Sequence, residues 1–139
     1  MGWLGWALLS ALFAAATAIL AKLGVAGVDS NFATAVRTTV VVLFTWLLVF
    51  ILRQPGSFAV PGSRTWLFLG LSGLATGLSW LCYFRALQLG PASRVAPIDK
   101  LSVAMVIAAG TLFLGEKLTW GKLVGGALIV AGAIFVALD

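Results

Sequence analysis

Runs of mostly apolar residues, each close to the length of a membrane-crossing helix, recur along this chain and are separated by short breaks rich in glycine and proline. A hydrocarbon core about 30 Å thick takes about 20 helical residues to cross, and within it every backbone N–H and C=O must be satisfied inside the segment. The stretches Trp3 to Lys22, Phe32 to Leu52, Trp66 to Leu87, Val95 to Leu114 and Thr119 to Leu138 meet that requirement. They are read as a bundle of five transmembrane helices in one all-α unit covering residues 1–139. The first run lacks a basic leader and exceeds the length of a signal-peptide core, so it is expected to remain attached as a span.

The breaks carry turn chemistry: Gly24, Gly27, Asp29, Ser30 and Asn31, then Arg53, Gln54, Pro55 and Gly56 with Pro61, Gly62 and Ser63, then Gly90 and Pro91, then Gly115 and Glu116. Trp3, Trp6, Trp46, Trp66 and Trp120 fall near span ends, where amphipathic rings collect at headgroup level.

Composition removes several function classes. Hydrophobic residues make up 62% of the chain and charged ones 9%, which excludes a soluble globular domain. Histidine is absent and Cys82 is the single cysteine, so neither a metal site nor an intrachain disulfide is expected, and no cofactor is implied. The net charge of +5 comes from lysines and arginines placed singly near span ends, a pattern for lipid headgroups and not for nucleic acid. No nucleophile elbow, phosphate-cradling loop or metal-ligand set is present, and an enzyme is not expected.

Orientation follows the balance of Lys and Arg between the two faces. Arg53, Arg64, Lys117 and Lys122 flank one face, whereas Lys22, Arg37, Arg85, Arg94 and Lys100 lie on or nearest the other. So even a balance predicts insertion in both orientations, or an orientation fixed by something outside the chain. Discounting Arg37 and Lys100 as too deep gives a weak preference for a cytoplasmic N-terminus.

Because lipid tails are as apolar as leucine, helices associate through close packing at small residues. Gly121 and Gly125 in the last span, continued by Gly132, form a small-xxx-small face for a helix of this chain or of a second copy. Gly73 and Gly77 repeat the spacing in the third span.

Charges inside the hydrocarbon are costly and mark candidate sites. Asp99 and Lys100 stand side by side in the fourth span, where Ser93 is the expected N-cap and Pro97 falls in the first turn. Adjacent helical residues point about 100° apart, so the two are not expected to pair across one face. Arg37 enters the second span from the same membrane face. One reading is a structural Arg37–Asp99 ion pair; another makes Asp99 a protonation or cation site with Arg37 or Lys100 as counter-charge for an anionic group; a third lets all three reach interfacial water. Trp80 and Tyr83 are candidates to line a cavity for an aromatic or amphipathic solute, the alternative being rings that face lipid or partner helices. Lys22 is expected to snorkel, and Glu116 is read as structural, accepting N–H groups at the start of the last helix.

The segments Tyr83-Phe84-Arg85-Ala86-Leu87, Gly90-Pro91-Ala92-Ser93-Arg94-Val95-Ala96-Pro97 and Phe113-Leu114-Gly115-Glu116-Lys117-Leu118-Thr119, followed by a glycine-rich last helix, resemble an EamA domain of the drug/metabolite transporter superfamily. Arg37 fits the arginine usual in the second span. Pro97-Ile98-Asp99-Lys100-Leu101-Ser102 resembles the short, single-domain branch.

That resemblance implies two five-helix units, inverted with respect to each other, around a central substrate cavity. A chain carrying one unit then needs a partner: a second antiparallel copy, which the even charge balance suits, or a paired paralogue. Related small multidrug resistance proteins use a glutamate in their first helix; here that span holds no acidic residue, and Asp99 is the only candidate within a span to replace it. The expectation is a multi-pass protein of a bacterial or archaeal inner membrane that exports or exchanges a small metabolite or drug by alternating access, with proton coupling as an option. The alternatives are a flippase-like subunit for a lipid-linked or amphipathic substrate, and a membrane scaffold whose buried charges are purely structural.

Overall fold

A computed structural model describes residues 2–52 and 62–139. Among them it is helical with no strand: α1 (Trp3–Gly24), α2 (Ser30–Ile51), α3 (Ser63–Leu89), α4 (Ala92–Asp99), α5 (Ser102–Phe113) and α6 (Trp120–Leu138). Met1 and the turn residues Arg53, Gln54, Pro55, Gly56 and Pro61 lie outside the described residues. Five segments are long and apolar enough to span a membrane, with α4 and α5 together making the fourth.

The apolar runs form helices because the backbone must be satisfied locally, and hydroxyls inside them follow the same rule. Thr34, Thr38, Thr39 and Thr45 in α2 donate to the carbonyls of Ser30, Thr34, Ala35 and Val41, at 2.8 to 3.0 Å. Asp29 caps α2, its Oδ1 accepting from the N–H of Asn31 at 3.0 Å and of Phe32 at 2.9 Å. Between 6 and 11% of each span's most apolar stretch is buried, so large hydrophobic side chains cover the outside. In water such a surface would drive association; in lipid it is the ordinary exterior of a span. The tryptophans Trp3, Trp6, Trp46, Trp66 and Trp120 are all exposed.

The chain divides into two compact units. One holds α1, up to Leu23, with α4, α5 and α6; the other holds Gly24–Gln88 with α2 and α3. In the first, α6 packs along both α4 and α5. Lys22 at the end of α1 does not simply snorkel: its Nζ donates to the Gly90 carbonyl at 2.8 Å. Gly126 marks the closest approach of α6 to α5, since a Cβ there would lie 3.2 Å from Ile107 Cδ1. Within this unit the Gly121 and Gly125 face does not closely meet a neighbouring helix, since a Cβ at Gly125 would meet nothing within 4 Å and one at Gly121 only Thr119 Oγ1 at 4.0 Å. One residue's shift along a helix turns the side-chain direction by about 100°, which is why Gly126 and not Gly125 faces α5.

The fourth span departs most from expectation. It is two helices, not one, with the break at Lys100 and Leu101. The N-cap position is Pro91, and Ser93 lies inside α4. Pro97 is therefore the sixth residue of α4, past the first turn, and its missing N–H does leave the Ser93 carbonyl without its usual donor. Past Pro97 the ladder tightens to three-residue spacing, with Lys100 N–H bonding Pro97 O and Leu101 N–H bonding Ile98 O, both at 3.0 Å. The Ser102 hydroxyl takes the Asp99 carbonyl at 2.8 Å. Side-chain competition for backbone groups is the usual way Ser and Asp interrupt a helix.

The turn into α6 is closed by Gly115, whose φ of +67° suits a residue without a Cβ, and by the Glu116 N–H bonding Gly110 O at 3.1 Å. Thr119 caps α6, its hydroxyl accepting from Lys122 N–H at 3.4 Å. Glu116 does not take that capping role. Its carboxylate pairs with Lys122 Nζ at 2.8 Å and lies over Gly110, where an added Cβ would sit 3.3 Å from its Cδ.

Candidate functional site

Arg37 is the eighth residue of α2, which puts it about 10 Å along the helix from Ser30. Its guanidinium carbon sits 4.1 Å from the centroid of the Trp80 ring and 5.4 Å from that of Phe84. Both distances fall inside the range over which a ring quadrupole attracts a cation. Trp80, Tyr83, Phe84 and Leu87 follow one another at helical i, i+3, i+4 and i+7 spacing, so α3 presents a single aromatic-to-apolar face. Phe84 and Leu87 are buried, whereas Trp80, Tyr83 and Arg37 are half-buried.

Within Gly24–Gln88 the sole carboxylate is Asp29, and its oxygen is engaged at the N-terminus of α2. Arg37 is thus held by π-faces and not by an acid of its own unit. A guanidinium in that setting keeps its in-plane N–H donors available to an oxyanion, because a stacked ring occupies its face and not its edge. Ser30 and Thr34 are buried on the same side of α2, where the Thr34 hydroxyl is spent on the Ser30 carbonyl.

Asp99 and Lys100 sit at the break between α4 and α5. Contrary to the helical argument, they do pair: Lys100 Nζ lies 3.2 Å from Asp99 Oδ2. The backbone stays in the right-handed helical region at Lys100 and Leu101, and it is the long, flexible Lys100 stem that reaches back to the neighbouring carboxylate. Asp99 is about 10 Å along the span from Ala92. Both side chains stay partly exposed, at 55% for Lys100 and 38% for Asp99, so a charge pair stands open at the point where the fourth span is interrupted.

Sequence reasoning missed Phe84 as the second ring on Arg37. Its spacing four residues after Trp80 was the signal. Arg85, beside this cluster in sequence, turns away: it donates to Gln88 Oε1 at 3.0 Å, and Gln88 in turn donates to the Val28 carbonyl. No group of His, Cys, Asp and Glu able to hold a metal occurs among the described residues.

The family model described as the EamA-like transporter family matches residues 1–138. The chain is 55% identical over 139 residues to an uncharacterised transporter from a cobO 3′ region of Sinorhizobium sp., covering 98% of this chain and 96% of that one. It is 33% identical over 133 residues to a protein named as a probable 4-amino-4-deoxy-L-arabinose-phosphoundecaprenol flippase subunit ArnF from Klebsiella pneumoniae, covering 94% and 91% of the two chains. A riboflavin transporter of Rhizobium johnstonii is 29% identical over 143 residues, covering 96% of this chain but 44% of its own. No solved structure gives a significant match. A match over almost its whole length, together with five membrane-length helices, makes this multi-pass integral membrane protein a member of the EamA-like transporter family.

Proposed function

We propose that the chain is one half of an alternating-access carrier of a bacterial or archaeal inner membrane, completed by a second antiparallel copy or a paralogue, that moves small amphipathic solutes bearing an anionic group. The observation that carries this reading is Arg37 on the Trp80 and Phe84 rings, a cation kept in a span without a carboxylate of its own unit. A charge of that kind is expensive to keep in lipid, and supplying an oxyanion contact is a use that offsets the cost. The rings add an apolar surface for the rest of the solute, and Tyr83 borders them on the same face.

Asp99 with Lys100 forms the second polar point. An open pair at a helix interruption can exchange its internal partner for an ionic group of the substrate, or Asp99 for a proton, as the carrier changes state. Transporters built from repeats place substrate near such interrupted helices. The pairing of two chains is supported by length: this chain corresponds to 44% of the riboflavin transporter, as a unit present twice in a longer chain would.

A flippase-like role for a lipid-linked substrate is the second reading, and the near end-to-end match to the ArnF chain favours it. Uptake into proteoliposomes of a panel of amphipathic anions, cations and zwitterions separates the possibilities. Saturable uptake of anionic members, reduced at least tenfold by Arg37→Gln and by Asp99→Asn in variants that remain folded, is expected. Transport unaffected by both substitutions would leave those charges with a structural role only. Labelling of both termini from each side tests the antiparallel pair, and one orientation in every copy would sink it.

A further inference from the structure

The face that α2 turns toward α3 is polar in an otherwise apolar span. With successive residues about 100° apart, an arc of about 100° starting at Arg37 holds, between residues 30 and 45, Ser30, Thr34, Arg37, Thr38, Val41 and Thr45, of which Val41 alone is apolar. Burial follows the same arc. Ser30 and Thr34 are buried and Arg37, Thr38 and Val41 half-buried, whereas Val36, Val40, Val42 and Leu43 on the other sides of the helix are exposed.

Each of these threonines has spent its proton on the backbone. Thr34 donates to Ser30 O and Thr38 to Thr34 O, both at 2.8 Å, and Thr45 to Val41 O at 2.9 Å. A hydroxyl carries one donor and two acceptor lone pairs, so these oxygens have only acceptance left to offer, whereas Arg37 only donates. A donor-only cation thus stands beside acceptor-only hydroxyls, which is the complement of a solute carrying an oxyanion together with hydroxyl groups. An ammonium group would also suit the hydroxyl oxygens, but it would stand against the charge of Arg37.

The facing helix leaves room there. Gln88 of α3 reaches the Val28 carbonyl while Trp80 meets Arg37, so α2 and α3 run in opposite directions. The turns of α3 level with Thr38 to Thr45 then hold Gly77 and Gly73, where a Cβ would meet nothing within 4 Å. Resting on the anion-carrier reading above, we infer that Thr38 and Thr45 form a hydroxyl-recognition track leading away from Arg37, which selects oxyanions with a hydroxylated carbon chain over those with a bare one. Thr45 lies about 12 Å along α2 from Arg37, a distance on the scale of a phosphate on an extended six-carbon chain.

The test measures calorimetric affinities of the full chain in phosphatidylcholine nanodiscs for sorbitol 6-phosphate and hexyl phosphate, with binding to empty nanodiscs subtracted. The two share the anion and the six-carbon chain and differ in the hydroxyls. Sorbitol 6-phosphate is expected to bind about tenfold tighter, the worth of two hydrogen bonds between neutral groups. Thr38→Val and Thr45→Val should each cut that preference about threefold, Thr38→Ser and Thr45→Ser should keep it, and Thr39→Val, on the far side of α2, should not move it. Arg37→Gln should weaken both ligands about tenfold or more, as loss of a charged donor does. Equal affinity for the two phosphates, or a preference that survives both valine variants, would overturn the track while leaving Arg37 as an anion site. Binding of neither phosphate would overturn the anion reading itself, and the track with it. Competition of sorbitol 6-phosphate by phosphatidylinositol but not by phosphatidylethanol in the discs would support the track with a lipid headgroup as its ligand; competition by neither would support it with a free solute.

Discussion

Replacing Arg37 with methionine should leave the protein about as stable as before while removing its transport of anionic solutes. The magnitude follows from two opposed contributions. Losing the guanidinium from Trp80 at 4.1 Å and Phe84 at 5.4 Å forfeits about 2 kcal/mol, since a desolvated cation–π contact is worth about 2 and an exposed one about 0.5 to 1. Against that, a charged side chain at the centre of a span costs about 2.5 to 3.5 kcal/mol, and less at the depth of Arg37, which lies nearer the helix end. The two nearly cancel, and a net change within about 1 kcal/mol is expected. The ring contact itself is exposed by a double-mutant cycle in detergent unfolding: Trp80→Leu should cost about 1 to 2 kcal/mol more in the wild type than in the Arg37→Met background. Strict additivity would refute the stacking. A loss of 3 kcal/mol or more from Arg37→Met alone, on the order of what breaking a buried ion pair costs, would refute a guanidinium balanced by rings alone and would make Arg37 a structural charge.

Other substitutions test the packing around the first unit. Gly126→Leu should destabilise by about 1 to 3 kcal/mol, because the new side chain is driven into Ile107, whereas Gly125→Leu should be close to neutral in the isolated chain; equal effects in thermal unfolding would contradict the assigned rotation of α6. Thr119→Ala removes a long capping bond and should cost about 0.5 kcal/mol, the low end for such caps, with faster amide exchange confined to the first turn of α6. Asp99→Asn should change stability by less than about 1 kcal/mol, since its pair with Lys100 is partly exposed, so that any loss of transport reports on function.

What the sequence made legible and what it hid divide along a physical line. The spans were readable because lipid imposes a length and an apolar content that a run of residues either has or lacks, and the observed helices begin and end within about three residues of those runs. Arg37, Asp99, Lys100, Trp80 and Tyr83 stood out for the same reason, as ionisable or amphipathic groups in an apolar background. Their partners were another matter. Opposite charges suggested Arg37 with Asp99, but which ring a guanidinium meets depends on the rotation of α2 against α3, and nothing in a residue count fixes that angle. The same blindness left open which glycine of α6 meets α5 within the chain, Gly126 and not its neighbour Gly125, which differ only in direction. It also explains the fourth span, where apolar content carried on through Lys100 and Leu101 although the backbone did not. That interruption needs local competition for carbonyls, from Ser102 and the tightened turns after Pro97, to outweigh the regular ladder. A composition-based reading treats Asp99 and Lys100 as two charges that helical rotation keeps apart, whereas the long Lys100 side chain reaches back over one residue to Asp99, and the pair stays partly exposed where the backbone ladder tightens to three-residue spacing.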